Sequence, residues 1–202
     1  MGENVWRDEH EWPLARTDWQ KWYLHSGGKA NTLLGDGALS RAEPADEPTD
    51  HFIYHPEYPV PTVGGTPCCD SRIIPWAAHD QRDLEMRADV LCYTTPPLTE
   101  DVEVTGPITL TLYAQTDGRD TDWTGKLVDV GVTGNLFKKG HRIRLEVSSS
   151  NFPLYDRNLN TGNPLGQDAE IRVAHQTIHH SRAYPSHLTL PVIPCERQRS
   201  SS

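Results

Sequence analysis

Apolar and polar residues alternate in short runs along this chain, and a turn signal closes nearly every run. ITLTLYAQ at residues 108–115 alternates cleanly behind a Gly106-Pro107 break. RIRLEV at 142–147 sets Ile143, Leu145 and Val147 between Arg142, Arg144 and Glu146. Period two is the spacing of a strand with one face on a core and the other in water. Further runs fall at residues 21–26, 33–40 (strand or loop), 89–94, 102–105, 126–130, 171–181 and 188–192. About eight to ten short strands joined by turns specify an all-β antiparallel sandwich or jelly roll. Sixteen prolines and fifteen glycines suit that architecture and oppose a helical bundle. The sequence holds no internal repeat and no alternation of strand and helix patterns.

The chain has 202 residues, enough for one large β-domain or two small ones. A net charge of -9, with no basic stripe beyond Lys138-Lys139 and Arg142/Arg144, argues against a nucleic-acid partner. No apolar run reaches transmembrane length and no signal-peptide core is present, so no membrane partner and a cytoplasmic location are expected. The four cysteines fit reduced thiols rather than a disulfide framework. Cys68 and Cys69 are adjacent, Cys195 is near the end, and Cys92 lies in a strand-like run where it reads as a small buried hydrophobe. Residues 1–194 are expected to form the domain and 195–202 a disordered polar tail.

Residues 140–162, GHRIRLEVSSSNFPLYDRNLNTG, carry a strand into a polar loop, where a β-domain tends to place a contact surface. Its serines lack the Gly-x-Ser-x-Gly elbow that exposes a nucleophile, as does Ser26 in His25-Ser26-Gly27-Gly28. His175, His179 and His180 form H-x3-H-H. On a strand His175 and His179 share a face with Ile171, Val173 and Thr177 but stand roughly 13 Å apart, too far for one metal. Asp117, Asp120 and Asp122 lack EF-hand spacing and read as turn residues, one of them pairing with an arginine such as Arg142 or Arg157. Residues 51–79, with the proline-rich HPEYPVPTVGGTPCC, read as a long contact-forming loop. Trp12, Trp19, Trp22, Tyr54 and Tyr58 are candidates for a sugar-binding platform, against the alternative that they pack a core or an interface. No catalytic, cofactor-binding or metal-ligating residue emerges, and no cofactor is called for.

Several motifs occur in a fixed order: WRDEHEWPLAR, YLHSGG, YHPEYPVPTVGG, DQRDLEMRADVLCYTTPPL, EVTGPITLTLYAQTDGRDTDW, KLVDV, GHRIRLEVSSSNFPLYDRNLNTG and PSHLTLPV. In that order the chain resembles the C-terminal domain of the X-prolyl dipeptidyl-peptidase and cocaine-esterase-type acyl hydrolase family. The resemblance implies a galactose-binding-like jelly-roll sandwich packed on an α/β-hydrolase domain. That partner domain would carry the Ser-Asp-His triad for ester, amide or X-Pro cleavage, and this domain would help wall its substrate cleft. No triad motif falls within the 202 residues, so the resemblance assigns no catalytic residue here. The competing reading is a stand-alone carbohydrate- or ligand-binding sandwich, and a homo-oligomer is compatible with both. One departure stands out. KLVDV runs almost directly into GHRIRL, where the family places several tens of residues between Val130 and Gly140. The sandwich is therefore expected to be incomplete, with an open sheet edge and a partly uncovered core.

Overall fold

The computed structural model describes residues 6–65, 72–130, 136–164, 166–167 and 169–194. The three cysteines Cys68, Cys69 and Cys195, and the 195–202 tail, lie outside these. The strands are β1 (Asp18–His25), β2 (Ala38–Ser40), β3 (Asp50–Tyr54), β4 (Leu91–Thr94), β5 (Val102–Val104), β6 (Thr109–Thr111), β7 (Tyr113–Thr116) and β8 (Thr124–Val130), then β9 (Leu136–Phe137), β10 (Arg142–Ser148), β11 (Ala174–Ser181), β12 (Tyr184–Pro185) and β13 (His187–Ile193). One helical turn, α1 (Arg82–Glu85), precedes β4.

Nine strands form a large sheet in the order β8-β10-β4-β2-β1-β13-β5-β9, with β6 also on β13. Four form a smaller one, β12-β11-β3 with β7 on β11. Every ladder is antiparallel except the contact of β2 with β4. The two sheets enclose one main core. Leu24, Leu39, Tyr93, Ile143, Leu145 and Leu190 come from the large sheet, and Phe52, Tyr54 and Ile178 from the small one. Each such side chain, taken fully out of water, contributes about 1.5–3 kcal/mol. This is the all-β sandwich that the alternation specifies.

Four expectations change at the level of single strands. The run 108–115 is two strands rather than one. It breaks at Leu112, so that β6 pairs with β13 in the large sheet and β7 with β11 in the small one. The supposed loop 51–79 opens with β3, whose inward positions are Asp50, Phe52 and Tyr54. The strand expected at 171–181 begins only at Ala174; His175, Thr177 and His179 share one face as expected, and the inner face is Ala174, Gln176, Ile178 and His180, with His180 fully buried. Finally, β10 is buried on both faces rather than half-buried.

The second face of β10 has a specific cover. Arg144 and Glu146 stand beside Thr94 and Cys92 of β4 and beside Val128 and Lys126 of β8. The segment leading to β4 lies over them and adds a small cluster of Val60, Val90 and Cys92. Buried Glu85 of α1 accepts a hydrogen bond from Arg144 Nη1 at 2.6 Å. Lys126 Nζ stands 3.0 Å from Glu146 Oε2, off the hydrogen-bonding line, so that pairing is ionic without being directed. Cys92 is buried as expected, and burial, reinforced by the charges of Glu85 and Glu146, pushes its thiol up to about 12.

Candidate domain-contact surface

Two loops distant in sequence are zipped together at one part of the sandwich. The first follows β3 and the second follows β10. Pro61 and Phe152 form a parallel bridge. Phe152 N donates to Val60 O at 2.9 Å, and Thr62 N to Phe152 O at 2.6 Å. Thr62 Oγ1 donates to Asn151 O at 2.9 Å, and Val60 N to Ser150 Oγ at 2.8 Å. Arg157 Nη1 reaches Pro56 O at 3.0 Å, and the buried Tyr54 hydroxyl donates to Asn158 O at 2.9 Å. The local reason is proline. Pro56, Pro59, Pro61 and Pro153 lack amide donors and cannot join regular ladders, so side chains and isolated bridges satisfy their neighbours.

The same loops turn large apolar groups to the outside. Tyr58 is 67% exposed and Tyr155 62%, with Phe152 and Leu154 partly exposed beside them. Two open clefts adjoin the zip. One of about 540 Å3 is lined by Tyr58, His55, Ile53, His51 and Arg87. The other, of about 310 Å3, is lined by Phe152, Arg157, Asn158 and Pro164. A rigid backbone presenting exposed aromatics is the arrangement of a protein-contact face, because little conformational freedom remains to be lost on docking.

The residues singled out as chemistry from sequence become the struts of this face. Asp120 Oδ2 accepts from Asn158 Nδ2 at 3.0 Å, and its Oδ1 from Gly162 N at 2.7 Å. Asp122 Oδ1 lies 3.4 Å from the same amide. Asp117 takes His175 N at 2.7 Å and pairs with the ring Nδ1 at 2.7 Å. These bonds to His175, the backbone amide first, hold the Asp117 carboxyl below the usual range. The aspartates therefore anchor to asparagine, histidine and backbone, and not to Arg142 or Arg157 as expected. Arg142 instead donates to Thr95 O. The three serines are struts too. Ser148 Oγ bonds Thr124 Oγ1, Ser149 Oγ accepts from Gln176 Nε2, and Ser150 Oγ accepts from Val60 N. Among the described residues no cluster of three or more His, Cys, Asp or Glu has metal-binding geometry.

Sequence reasoning passed over one constellation altogether. Asp50, fully buried, gathers His180 Nε2 at 2.9 Å, the Tyr93 hydroxyl at 2.8 Å, Ser26 Oγ at 2.8 Å and Ala30 N at 2.9 Å. A serine, a histidine and an aspartate are thus together, but not as a triad. Ser26 and His180 bind the same carboxylate instead of each other, and His180 is sealed from solvent. A nucleophile must hand its proton to a base within reach, and this geometry has no such handover. The only hint in sequence was an Asp in register with Phe52 and Tyr54. The aromatic platform dissolves as well. Tyr54 is in the core, Trp22 packs against it, and Trp12, Trp19 and Tyr58 remain exposed.

The fold is that of an all-β double-sheet domain with two interlocked loops, and its buried Ser26, His180 and Asp50 do not form a triad. The chain belongs to the family described as the X-Pro dipeptidyl-peptidase C-terminal non-catalytic domain, which matches residues 1–136 and 132–189. It is 38% identical over 235 residues to cocaine esterase of Rhodococcus sp. (strain MB1 Bresler), taking in 96% of this chain and 41% of that protein. The chain therefore spans less than half the length of that relative. Among solved structures it resembles an α-amino acid ester hydrolase, with TM-score 0.77 and 28% identity over 94% of this chain and 39% of that one. It also resembles an aminopeptidase from a marine sediment Thaumarchaeota archaeon, with TM-score 0.76 and 26% identity over 96% of this chain and 39% of that one.

Proposed function

We propose that this domain docks on an α/β-hydrolase domain through the paired-loop face, and there walls and stiffens the cleft in which that domain carries out acyl transfer. The observation that carries the reading is the zip at Pro61 and Phe152. It fixes Tyr58 and Tyr155 outward on loops whose every strut is internal. Buried aromatic anchors dominate the energetics of protein contacts, and tyrosine is prominent among them. The names of the relatives, an esterase, an ester hydrolase and an aminopeptidase, support acyl transfer as the partner's chemistry and leave ester, amide and peptide substrates all open to assay.

The test is reconstitution. The catalytic portion of cocaine esterase, expressed without its own C-terminal region, is titrated with the purified 202-residue chain while binding and ester turnover are followed. The expected result is a complex with raised turnover, weakened at least tenfold by the double substitution Tyr58→Ala and Tyr155→Ala at unchanged melting temperature. Equal affinity of the double variant and the parent chain would remove the paired-loop face from the proposal.

A further inference from the structure

The strand β8 ends the large sheet. It pairs with β10 along all seven residues, and among the described residues no strand pairs with its other side. Free strands of this length are usually blunted by charge, proline or a bulge. Here β8 has no proline, and its two charged side chains are engaged elsewhere. Lys126 lies across from Glu146 on β10, and Asp129 meets His141 Nδ1 at 3.1 Å. Its main-chain groups are therefore left open as a template.

Beside this edge the core is thin. Leu110, Leu112, Trp123 and Leu127 pack on the core yet remain half-buried. A Cβ placed on Gly125 would lie 2.5 Å from Leu110 Cδ2, so the Leu110 side chain of β6 packs directly on the β8 main chain there, without a ladder.

The comparison with cocaine esterase shows that a relative carries additional residues across this region. The alignment spans 235 residues of which this chain supplies 96% of 202, about 194, so the relative carries roughly forty residues more across the same span. The family match breaks into two blocks that meet at residues 132–136, between the end of β8 at Val130 and the start of β9 at Leu136. The two matched blocks therefore meet next to the open edge of β8.

We infer that the free edge of β8 is a strand-acceptor site, filled in trans by an extended segment with apolar side chains at alternate positions. The main chain of the incoming segment completes the β8 ladder, and its inward side chains close over Leu127, Leu110 and Trp123. On this inference the occupant is a separate polypeptide strand, and the five residues that join β8 to β9 are too few to supply it. Five residues reach across a turn but cannot return along a seven-residue strand.

The probe is a synthetic peptide with the sequence that cocaine esterase carries between the two matched blocks. Calorimetry and thermal unfolding of the full chain are followed with this peptide, with a scrambled version, and with a version N-methylated at alternate amides. The expected result is one-to-one binding of the first peptide only. A hundredfold excess over its Kd should raise the melting temperature by roughly 5–10 °C. Leu127→Ala should weaken binding at least fivefold while amide exchange in β1 and β13 stays as in the parent. Equal binding of the N-methylated peptide, or no binding by a chain that melts cooperatively, would overturn the inference. Self-association of the chain that protects the β8 amides from exchange would also overturn it, because the edge would then belong to a second copy.

Discussion

Asp50 Oδ2 and His180 Nε2 lie 2.9 Å apart across the two outermost thirds of the chain, with both side chains fully buried. The pair links β3 to β11 from inside the sandwich, while the main-chain ladder between the same strands runs from Asp50 to Tyr54. Burial alone would raise the Asp50 carboxyl. Hydrogen bonds from His180, Ala30, Ser26 and Tyr93 together outweigh it and hold the group below its ordinary value of 3.8. Asp50→Ala leaves His180, Tyr93 and Ser26 without their common acceptor and is expected to cost about 3–5 kcal/mol in urea unfolding. Because the native carboxyl is depressed, its stabilising contribution is fully present above pH 3.8 and is lost as pH falls through the native value. The difference between parent and Asp50→Asn should accordingly be level at neutral pH and shrink on acidification below that point.

Glu146 has the opposite sign. Its carboxylate is 1% exposed, and burial raises the carboxyl above its ordinary 4.5 despite the pull of Lys126. The folded state therefore holds the proton more tightly than the unfolded chain. Its cost appears as pH rises above 4.5 and is complete once the raised value is passed. Glu146→Gln should stabilise the domain at pH 8 and leave it unchanged near pH 4. Chemical denaturation at the two pH values checks this, and a variant less stable at pH 8 would count against it.

Arg144 and Glu85 tie α1 to the outer face of β10 with side chains 10% and 2% exposed. Removing either partner alone strands a buried charge, so Arg144→Met is expected to cost about 3–5 kcal/mol. The double substitution Arg144→Met with Glu85→Leu should recover most of that loss, because the apolar pair needs no desolvation. A double-mutant cycle by thermal melting measures the coupling.

Cys92 should be chemically silent in the native state. A thiol raised to about 12 and 3% exposed offers almost no thiolate at neutral pH. Peptide mapping after iodoacetamide treatment should find Cys92 unmodified in the folded protein and fully modified in urea. Modification at native pH would show that the segment over β4 opens readily.

Much of the fold was legible in alternation, and the failures share a cause. Period two reports which residues share a face, but not what lies on that face. Arg144 and Glu146 read as solvent-facing, yet the loop carrying Glu85 and Val60 covers them. In β11 the inward row mixes Ala174, Gln176, Ile178 and His180, so polarity does not mark which face is inward. A polar residue at an inward position is invisible until its partner is known, and the partner of His180 is 130 positions away. The polar segment after β10 was legible as a loop. Its pairing with the segment after β3 was not, because single hydrogen bonds between Thr62, Phe152 and Asn151 leave no period in sequence. The motif order succeeded where local pattern failed, since it carries the whole set of contacts at once.

The first long strand and the last are neighbours: β1 and β13 pair from Asp18 against Val192 to Tyr23 against His187. Because β13 also holds β5 and β6, the centre of the large sheet cannot close until nearly the entire chain has been synthesised. Until β13 has been made, the strands that pair with it stay unpaired, so the sandwich assembles as one late event rather than piece by piece.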